Sequence, residues 1–192
     1  MNKIGIISGG GKLPISIGKS LIKLNYPVIF LCIDKFCDFK QYKKYKHKII
    51  SINSLTKIIN ILKKNNVKKI IMVGNIKRPS IKDIKFDLKT LKLIKNFALD
   101  SSGDDKLLST ISFFFKNEGF PTFNWKKICK DLFADKDNLT KVRPSKLSLL
   151  NKDKGLFFFR TIGKADIAQS LIIQNKIILG IEASEGTDEL IK

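Results

Sequence analysis

Short apolar strands alternate with helical segments in the first part of the chain, and this alternation restricts the fold more than any other feature. Lys3–Ser8, Val28–Ile33 and Lys69–Val73 are rich in isoleucine and valine, a composition typical of strands buried on both faces. Residues 13–24 and 54–64 lie between them and carry apolar side chains at helical spacing. This order is typical of a parallel sheet with right-handed helical crossovers. We therefore predict an N-terminal α/β domain.

Two glycine turns follow two of the predicted strands. Gly9–Gly11 precedes the first helix, and Gly74-Asn-Ile-Lys-Arg-Pro79 follows the strand at 69–73. Ligands of open parallel sheets bind beyond the carboxyl ends of the strands, so both turns are expected at one edge. Glycines let backbone amides approach an anion, and Lys77 and Arg78 can donate charge-assisted hydrogen bonds to phosphate. A tight turn without a ligand and an exposed basic loop are the alternatives.

The C-terminal segment predicts a hairpin that ends at a polar turn. Ser170–Gln174 and Ile177–Ile181 are apolar runs joined by Asn175-Lys176, and the second has the composition of a strand covered on both faces. The polar residues that follow are Glu182, Glu185, Gly186, Thr187 and Asp188.

These polar residues support two interpretations. Thr187 or Asp188 is placed to cap a final helix, with the other acids solvated. Carboxylate and hydroxyl oxygens beside a strand end can instead hold a divalent cation such as magnesium. The same choice applies to Asp104 and Asp105, which lie between helical segments at 86–99 and 106–117. They can cap the second of these helices or hold a metal at its entry.

The amino-acid composition limits the kinds of function that the chain can have. The chain has 192 residues, is 43% hydrophobic and carries a net charge of +20 that is nearly all lysine. Such a charge suits polyanions, so a basic nucleic-acid-binding protein is one alternative, with Tyr42 and Tyr45 as its candidate aromatics. A nucleotide-binding module that catalyses no reaction is another alternative. Three cysteines and one histidine make neither a disulfide framework nor a zinc site, and a reduced cytosol fits best. No apolar run is long enough to span a bilayer.

The composition changes at residue 134, and the domain prediction follows this change. We predict an N-terminal domain at 1–133, a linker at 134–154 where Asp, Lys, Asn and Ser dominate, and the start of a C-terminal domain at 155–192.

Six motifs in this order resemble the LpxI family, the UDP-2,3-diacylglucosamine diphosphatases (pyrophosphatases) of lipid A biosynthesis. They are Ile7–Pro14, Gly74–Pro79, Gly103–Leu108, Glu118–Phe120, Gly163–Gln169 and Glu182–Asp188. The resemblance implies a Rossmann-like N-terminal domain and a smaller C-terminal α+β catalytic domain, with the lipid-linked nucleotide sugar between them. It also implies magnesium-dependent hydrolysis of the pyrophosphate to UMP and 2,3-diacylglucosamine 1-phosphate. The expected location is cytoplasmic, peripheral to the anionic surface of the inner membrane, without a nucleic-acid partner. A homo-oligomer is one alternative for the oligomeric state.

The resemblance also implies site residues. Gly10 and Gly11 are expected to approach a phosphate, and Gln169, Glu182, Thr187 and Asp188 to line the other wall of the cleft. The expected catalytic residues are Asp188 and Glu182, the expected metal ligands are Asp104 and Asp188, and the expected substrate-binding residues are Gly10, Gly11, Lys77, Arg78, Gln169 and Thr187. Family members continue past the Glu-Gly-Thr-Asp turn and carry an essential aspartate there. We therefore expect the C-terminal domain to be incomplete and turnover by these 192 residues to be low.

Overall fold

The computed structural model describes residues 1–76, 87–88, 104–134, 139–162, 169–183 and 185–192. These residues divide into two compact units, Met1–Ala134 and Asp135–Lys192. The predicted helix at 86–99 lies almost wholly outside the described residues.

The first unit is built on a parallel sheet, as the alternation of strands and helices predicts. Its elements are β1 (Lys3–Ser8), α1 (Leu13–Lys23), β2 (Val28–Ile33), a 3-10 turn (Phe39–Tyr42), β3 (His47–Ile50), α2 (Leu55–Lys64), β4 (Val67–Val73), α3 (Asp104–Asn117) and two further 3-10 turns, Trp125–Lys127 and Lys130–Leu132. Among the described residues the strand order is β3-β2-β1-β4, with every pair parallel. The fold is therefore α/β.

Both faces of this sheet are covered, which explains the continuous apolar strands. In β2, Ile29 and Leu31 belong to the core cluster that contains the apolar side of α2, whereas Phe30 and Cys32 belong to the cluster that contains α1. Each fully buried side chain of this kind stabilises the fold by about 1.5–3 kcal/mol relative to an exposed one. Ser54 caps α2, since its side chain accepts a hydrogen bond from Lys57 N.

Two further packing features of the first unit lie outside its strands and α-helices. Among the described residues, Phe120–Phe123 lies beside β4 and makes an isolated parallel bridge between Thr122 and Ile70. Pro121 has no N–H to extend a ladder. Tyr42, in the 3-10 turn Phe39–Tyr42, is 2% exposed, and its ring packs edge-on against Phe30 with the ring centroids 5.2 Å apart.

The second unit contains α4 (Lys146–Ile162), β5 (Leu171–Gln174), β6 (Ile177–Ile181) and α5 (Thr187–Leu190). The predicted hairpin is confirmed: β5 and β6 pair antiparallel, and both turn residues, Asn175 and Lys176, have positive φ, as a two-residue type I′ turn requires. Gly155 lets α4 approach β5, because a Cβ there would lie 2.9 Å from Ile173 Cδ1.

Two expectations for the second unit need correction. Helix α4 begins at Lys146, inside the stretch 134–154 that was predicted as a linker. Strand β6 is not covered on both faces, since Ile177 is 61% and Leu179 59% exposed. Within the described part of the chain, no helix is long and apolar enough to cross a bilayer.

Candidate functional site

The two glycine turns lie side by side beyond the carboxyl ends of β1 and β4. Gly10 N donates to Asn75 O at 2.8 Å, and Asn75 N donates to Gly10 O at 2.9 Å. Gly9 N donates to Val73 O at 2.9 Å. The prediction that both turns share one edge of the sheet is therefore confirmed.

Close packing between the two turns requires glycine at several of these positions. A Cβ on Gly9 would lie 2.7 Å from Asn75 O, and a Cβ on Gly10 would lie 2.9 Å from Phe36 O. Gly74 has φ +105°, and a Cβ there would lie 2.8 Å from Gly10 O. Gly9, Gly10 and Gly74 thus hold the two turns together whether or not a ligand is bound.

Gly11 is the glycine that faces open space. It has φ +89°, and the nearest atom to a Cβ at this position would be Asn75 Nδ2 at 4.0 Å. Within the described residues, the amides of Gly11, Lys12 and Leu13 donate no backbone hydrogen bond, whereas the Gly10 amide is used by Asn75. Helix α1 begins at Leu13, with Pro14 in its first turn. An anion at this edge would therefore contact the Gly11 amide and the start of α1.

In the second unit, a buried carboxylate lies at the end of the hairpin. Glu182 is 7% exposed, and its Oε2 accepts a hydrogen bond of 2.9 Å from Thr187 Oγ1. Ser170 Oγ lies 3.3 Å from the same Thr187 oxygen, and Glu182 N donates to Ser170 O at 3.0 Å. The structure thus brings together the predicted residues Glu182 and Thr187 and adds Ser170. No sequence pattern singled out Ser170 beyond its place at the start of the hairpin.

Asp188 and Gln169 are exposed on this unit. The N-cap of α5 is Gly186, with φ +88°, and no side chain caps the helix. The prediction that Thr187 or Asp188 is the cap was therefore wrong, because the Thr187 hydroxyl is engaged by Glu182 instead. Asp188 lies in the first turn of this helix with its carboxylate exposed.

The remaining predicted residues are not brought into a described site. Lys77 and Arg78 lie outside the described residues. Asp104 is the first residue of α3, and the structure describes its backbone but not its side chain. Asp104 and Asp188 belong to different units. Among the residues that the structure describes, no group of three or more His, Cys, Asp or Glu side chains is placed to hold a metal ion.

Comparison with known families covers nearly the whole chain. Residues 3–132 match the LpxI N-terminal domain, and residues 135–192 match the LpxI C-terminal domain. The chain belongs to the LpxI family. A relative from Caulobacter vibrioides, named UDP-2,3-diacylglucosamine pyrophosphatase LpxI, is 27% identical over 193 residues. The alignment spans all of this chain and 69% of the relative.

The hydroxyl of Thr187 is expected to stabilise this LpxI chain. Thr187→Val keeps the shape of the side chain but leaves Glu182 Oε2 buried without its donor, which costs about 1–3 kcal/mol. Thr161→Val is the matched control, because Thr161 is exposed and its Oγ1 donates to Phe157 O within α4. Urea denaturation of both variants measures the loss. Equal losses would show that the Glu182 hydrogen bond contributes nothing beyond an exposed threonine.

Proposed function

We propose that the chain hydrolyses the pyrophosphate bond of UDP-2,3-diacylglucosamine to give UMP and 2,3-diacylglucosamine 1-phosphate. The observation that carries this proposal is the alignment of the whole chain with a relative named for that substrate, together with the matches to both LpxI domains. The proposal assigns a phosphate-binding role to the first unit and acidic chemistry to the second.

The glycine turn of the first unit supports the phosphate-binding role. Gly11 offers an amide without a described backbone partner beside the first turn of α1, where the helix dipole favours negative charge. Gly10 shapes this turn through its bridge with Asn75. Lys77 and Arg78 follow the second turn closely in sequence, and we propose that they neutralise the charge of the same phosphates.

The polar turn of the second unit supports the chemical role. Glu182 is held by Thr187, so its carboxylate has a fixed position and can orient a water molecule. The exposed carboxylate of Asp188 suits a magnesium ion, which proteins commonly hold through one or two carboxylates plus substrate phosphates. Such an ion neutralises charge on phosphoryl oxygens. We propose Asp188 and Asp104 as its protein ligands and Gln169 as a hydrogen-bonding group for the substrate.

We further propose that the protein acts at an anionic membrane surface on the cytoplasmic side. The acyl chains of the substrate place it in a lipid layer, and the net charge of +20 favours anionic headgroups, each nearby lysine contributing about 1 kcal/mol. Binding of nucleic acid is the competing use of this charge. The burial of Tyr42 weighs against it, because Tyr42 was one of the two aromatic side chains available for stacking on bases.

The proposal is tested by measuring UMP release from UDP-2,3-diacylglucosamine with and without magnesium. The assay uses this chain and a chimera that carries the parts of the Caulobacter relative outside the alignment. Magnesium-dependent release by either protein is the expected result. Failure of both to release UMP, together with RNA binding that weakens steeply with salt, would instead support the nucleic-acid alternative.

A further inference from the structure

A cleft lined by lysines lies in the first unit, between α1 and the segment that leads from β2 to β3. Its volume is about 470 Å³, and we call it the lysine cleft. Its lining residues are Ile15, Lys19, Lys40, Gln41, Lys43 and Lys44. Lys19 lies six residues beyond Leu13, which is about 9 Å along the axis of α1. Within the described residues neither glycine turn contributes to the lining, so this cleft is distinct from the edge at Gly11.

The two walls of the lysine cleft are held in place because both pack against Phe30 of β2. A Cβ on Gly18 would collide with the Phe30 ring, so this glycine lets α1 lie directly on Phe30. On the other wall, the ring centroids of Tyr42 and Tyr45 lie 5.2 Å and 5.3 Å from that of Phe30. The backbone that carries the lysines is therefore anchored before any ligand binds, which reduces the cost of binding.

The lysine cleft carries charge of one sign. Four lysines line it, and no carboxylate is found in the described lining. In the part of the chain that the structure describes, none of these four lysines makes an ion pair. A cleft lined by charges of one sign concentrates ions of the opposite sign. Because lysine is abundant throughout the chain, the grouping around one cleft indicates a site, and the number of lysines does not.

The acids that contact the two walls are engaged by other groups. Asp38 accepts hydrogen bonds of 3.1 Å from Lys40 N and from Gln41 Nε2, and these bonds order the turn and the Gln41 amide. Asp131 accepts a hydrogen bond of 2.8 Å from Ser20 Oγ. Neither acid lines the cleft, so its lysines are available to a ligand.

We propose that the lysine cleft is a binding site for a phosphate group. Lysine binds phosphate as a point charge, and several lysines around one cleft suit a compact group with more than one charged oxygen. The side chain of Ile15 offers no hydrogen bond, so the affinity depends on the lysines. The phosphate belongs either to the headgroup of an anionic lipid or to a soluble phosphate, and the experiments distinguish these two sources. The proposal does not depend on the reaction proposed above, because none of the experiments measures hydrolysis.

Nucleic acid also carries phosphates, but the described walls do not suit its bases. Bases bind by stacking on exposed aromatic rings. Tyr42 is buried, and Tyr45 packs on Phe30 while Lys44 Nζ lies 5.5 Å from the centroid of its ring. A lipid headgroup or a small phosphate is therefore the better match.

The first experiment measures co-sedimentation of the whole chain with phosphatidylglycerol vesicles and with phosphatidylcholine vesicles. The variant Lys19→Gln/Lys43→Gln removes one lysine from each wall. We expect its binding to phosphatidylglycerol to be about 25-fold weaker, because each lysine beside an anionic surface contributes about fivefold. Phosphatidylcholine, which has a phosphate but no net charge, should bind neither protein.

Lys63→Gln/Lys64→Gln is the matched control. These two exposed lysines lie in the last turn of α2, and α2 packs in the core cluster on the other face of the sheet from α1. The control loses the same charge, but its binding should change by less than about twofold, because charges more than about 8 Å from the surface are screened at physiological salt. Equal losses in the two variants would overturn the proposal, since lysines at any position would then serve.

The second experiment titrates inorganic pyrophosphate into the same three proteins by calorimetry. If the cleft takes a soluble phosphate, Lys19→Gln/Lys43→Gln should bind pyrophosphate about tenfold more weakly than the unmodified chain and the control, because charge-assisted hydrogen bonds are lost. Weakening with vesicles alone assigns the site to a lipid headgroup. Weakening in neither experiment overturns the proposal, and weakened binding of RNA alone would support the nucleic-acid alternative instead.

Acetylation of the unmodified chain gives a measurement that does not require any variant to fold. Acetic anhydride modifies exposed lysine amines, and peptide mapping by mass spectrometry gives the rate at each position. Phosphatidylglycerol vesicles or pyrophosphate are expected to slow modification of the four cleft lysines and to leave Lys63 and Lys64 unchanged. Equal protection of both groups, or protection of neither, would contradict a phosphate site in the lysine cleft.

Discussion

Gly74→Ala is expected to lower the free energy of unfolding by about 3 kcal/mol, the largest stability effect that we predict for a single methyl group. Gly74 has φ +105°, a conformation that costs an L-residue about 1–2 kcal/mol. The added Cβ would also lie 2.8 Å from Gly10 O and from the carbonyl carbon of Gly9. These are backbone atoms, so relief of the clash must separate the two turns, which adds about 1–3 kcal/mol.

Gly119→Ala is the matched control for this prediction. Gly119 has φ +91°, but a Cβ there would have no neighbour within 4 Å. This variant therefore carries the conformational cost without the clash and should lose only about 1 kcal/mol. Urea denaturation of both variants, followed by far-UV circular dichroism, measures the difference. Equal losses would mean that the packing of the two turns against each other contributes nothing to stability.

The sheet was predictable from the sequence because its two central strands, β1 and β2, are apolar on both faces. Val28–Ile33 matches β2 in full, and α2 lies within the predicted helical range 54–64. The hairpin was predictable for a different reason, since two apolar runs separated by two polar residues leave little choice of turn. In both cases the pattern along the chain determines the local structure.

The errors arose where tertiary contacts override the local pattern. Tyr42 lies in a basic run that suggests solvent, but its ring fills the space beside Phe30. Helix α4 has no clear apolar period, and Gly155 lies in its interior, where it lowers helix propensity. That glycine is nevertheless required by the approach of Ile173. Neither contact can be inferred from the residues near it in sequence.

The candidate site was predictable only in part. A parallel sheet places both glycine turns at the same edge, and in the structure a bridge between Gly10 and Asn75 joins them there. The hydrogen bond between Thr187 and Glu182 was not predicted, because the sequence pattern suggested a helix cap or a cation ligand at Thr187. Side-chain partnerships of this kind depend on exact backbone geometry.

Asp188→Asn is expected to have the largest effect on the proposed reaction. The substitution keeps the size of the side chain but removes the negative charge that would hold magnesium near the phosphates. We expect kcat to fall by about a hundredfold or more, in the range seen when a group essential for proton transfer or metal binding is lost. The magnesium concentration needed for half-maximal UMP release should rise as well. Steady-state rates over a magnesium titration measure both, in whichever of this chain and the Caulobacter chimera releases UMP.

Glu189→Gln is the control, because Glu189 is the next residue in the same short helix and its exposed carboxylate pairs with Lys192 at 2.6 Å. Loss of an exposed ion pair of this kind changes stability by less than about 1 kcal/mol, so its rate should stay within roughly twofold of the unmodified chain. A general electrostatic effect of acids on this helix would reduce the rate of both variants equally. If the carboxylate of Asp188 has a specific role, only Asp188→Asn loses rate. If Asp188→Asn kept the full rate and the same magnesium requirement, the metal would have to be assigned to other ligands, with Glu182 the next residue to replace.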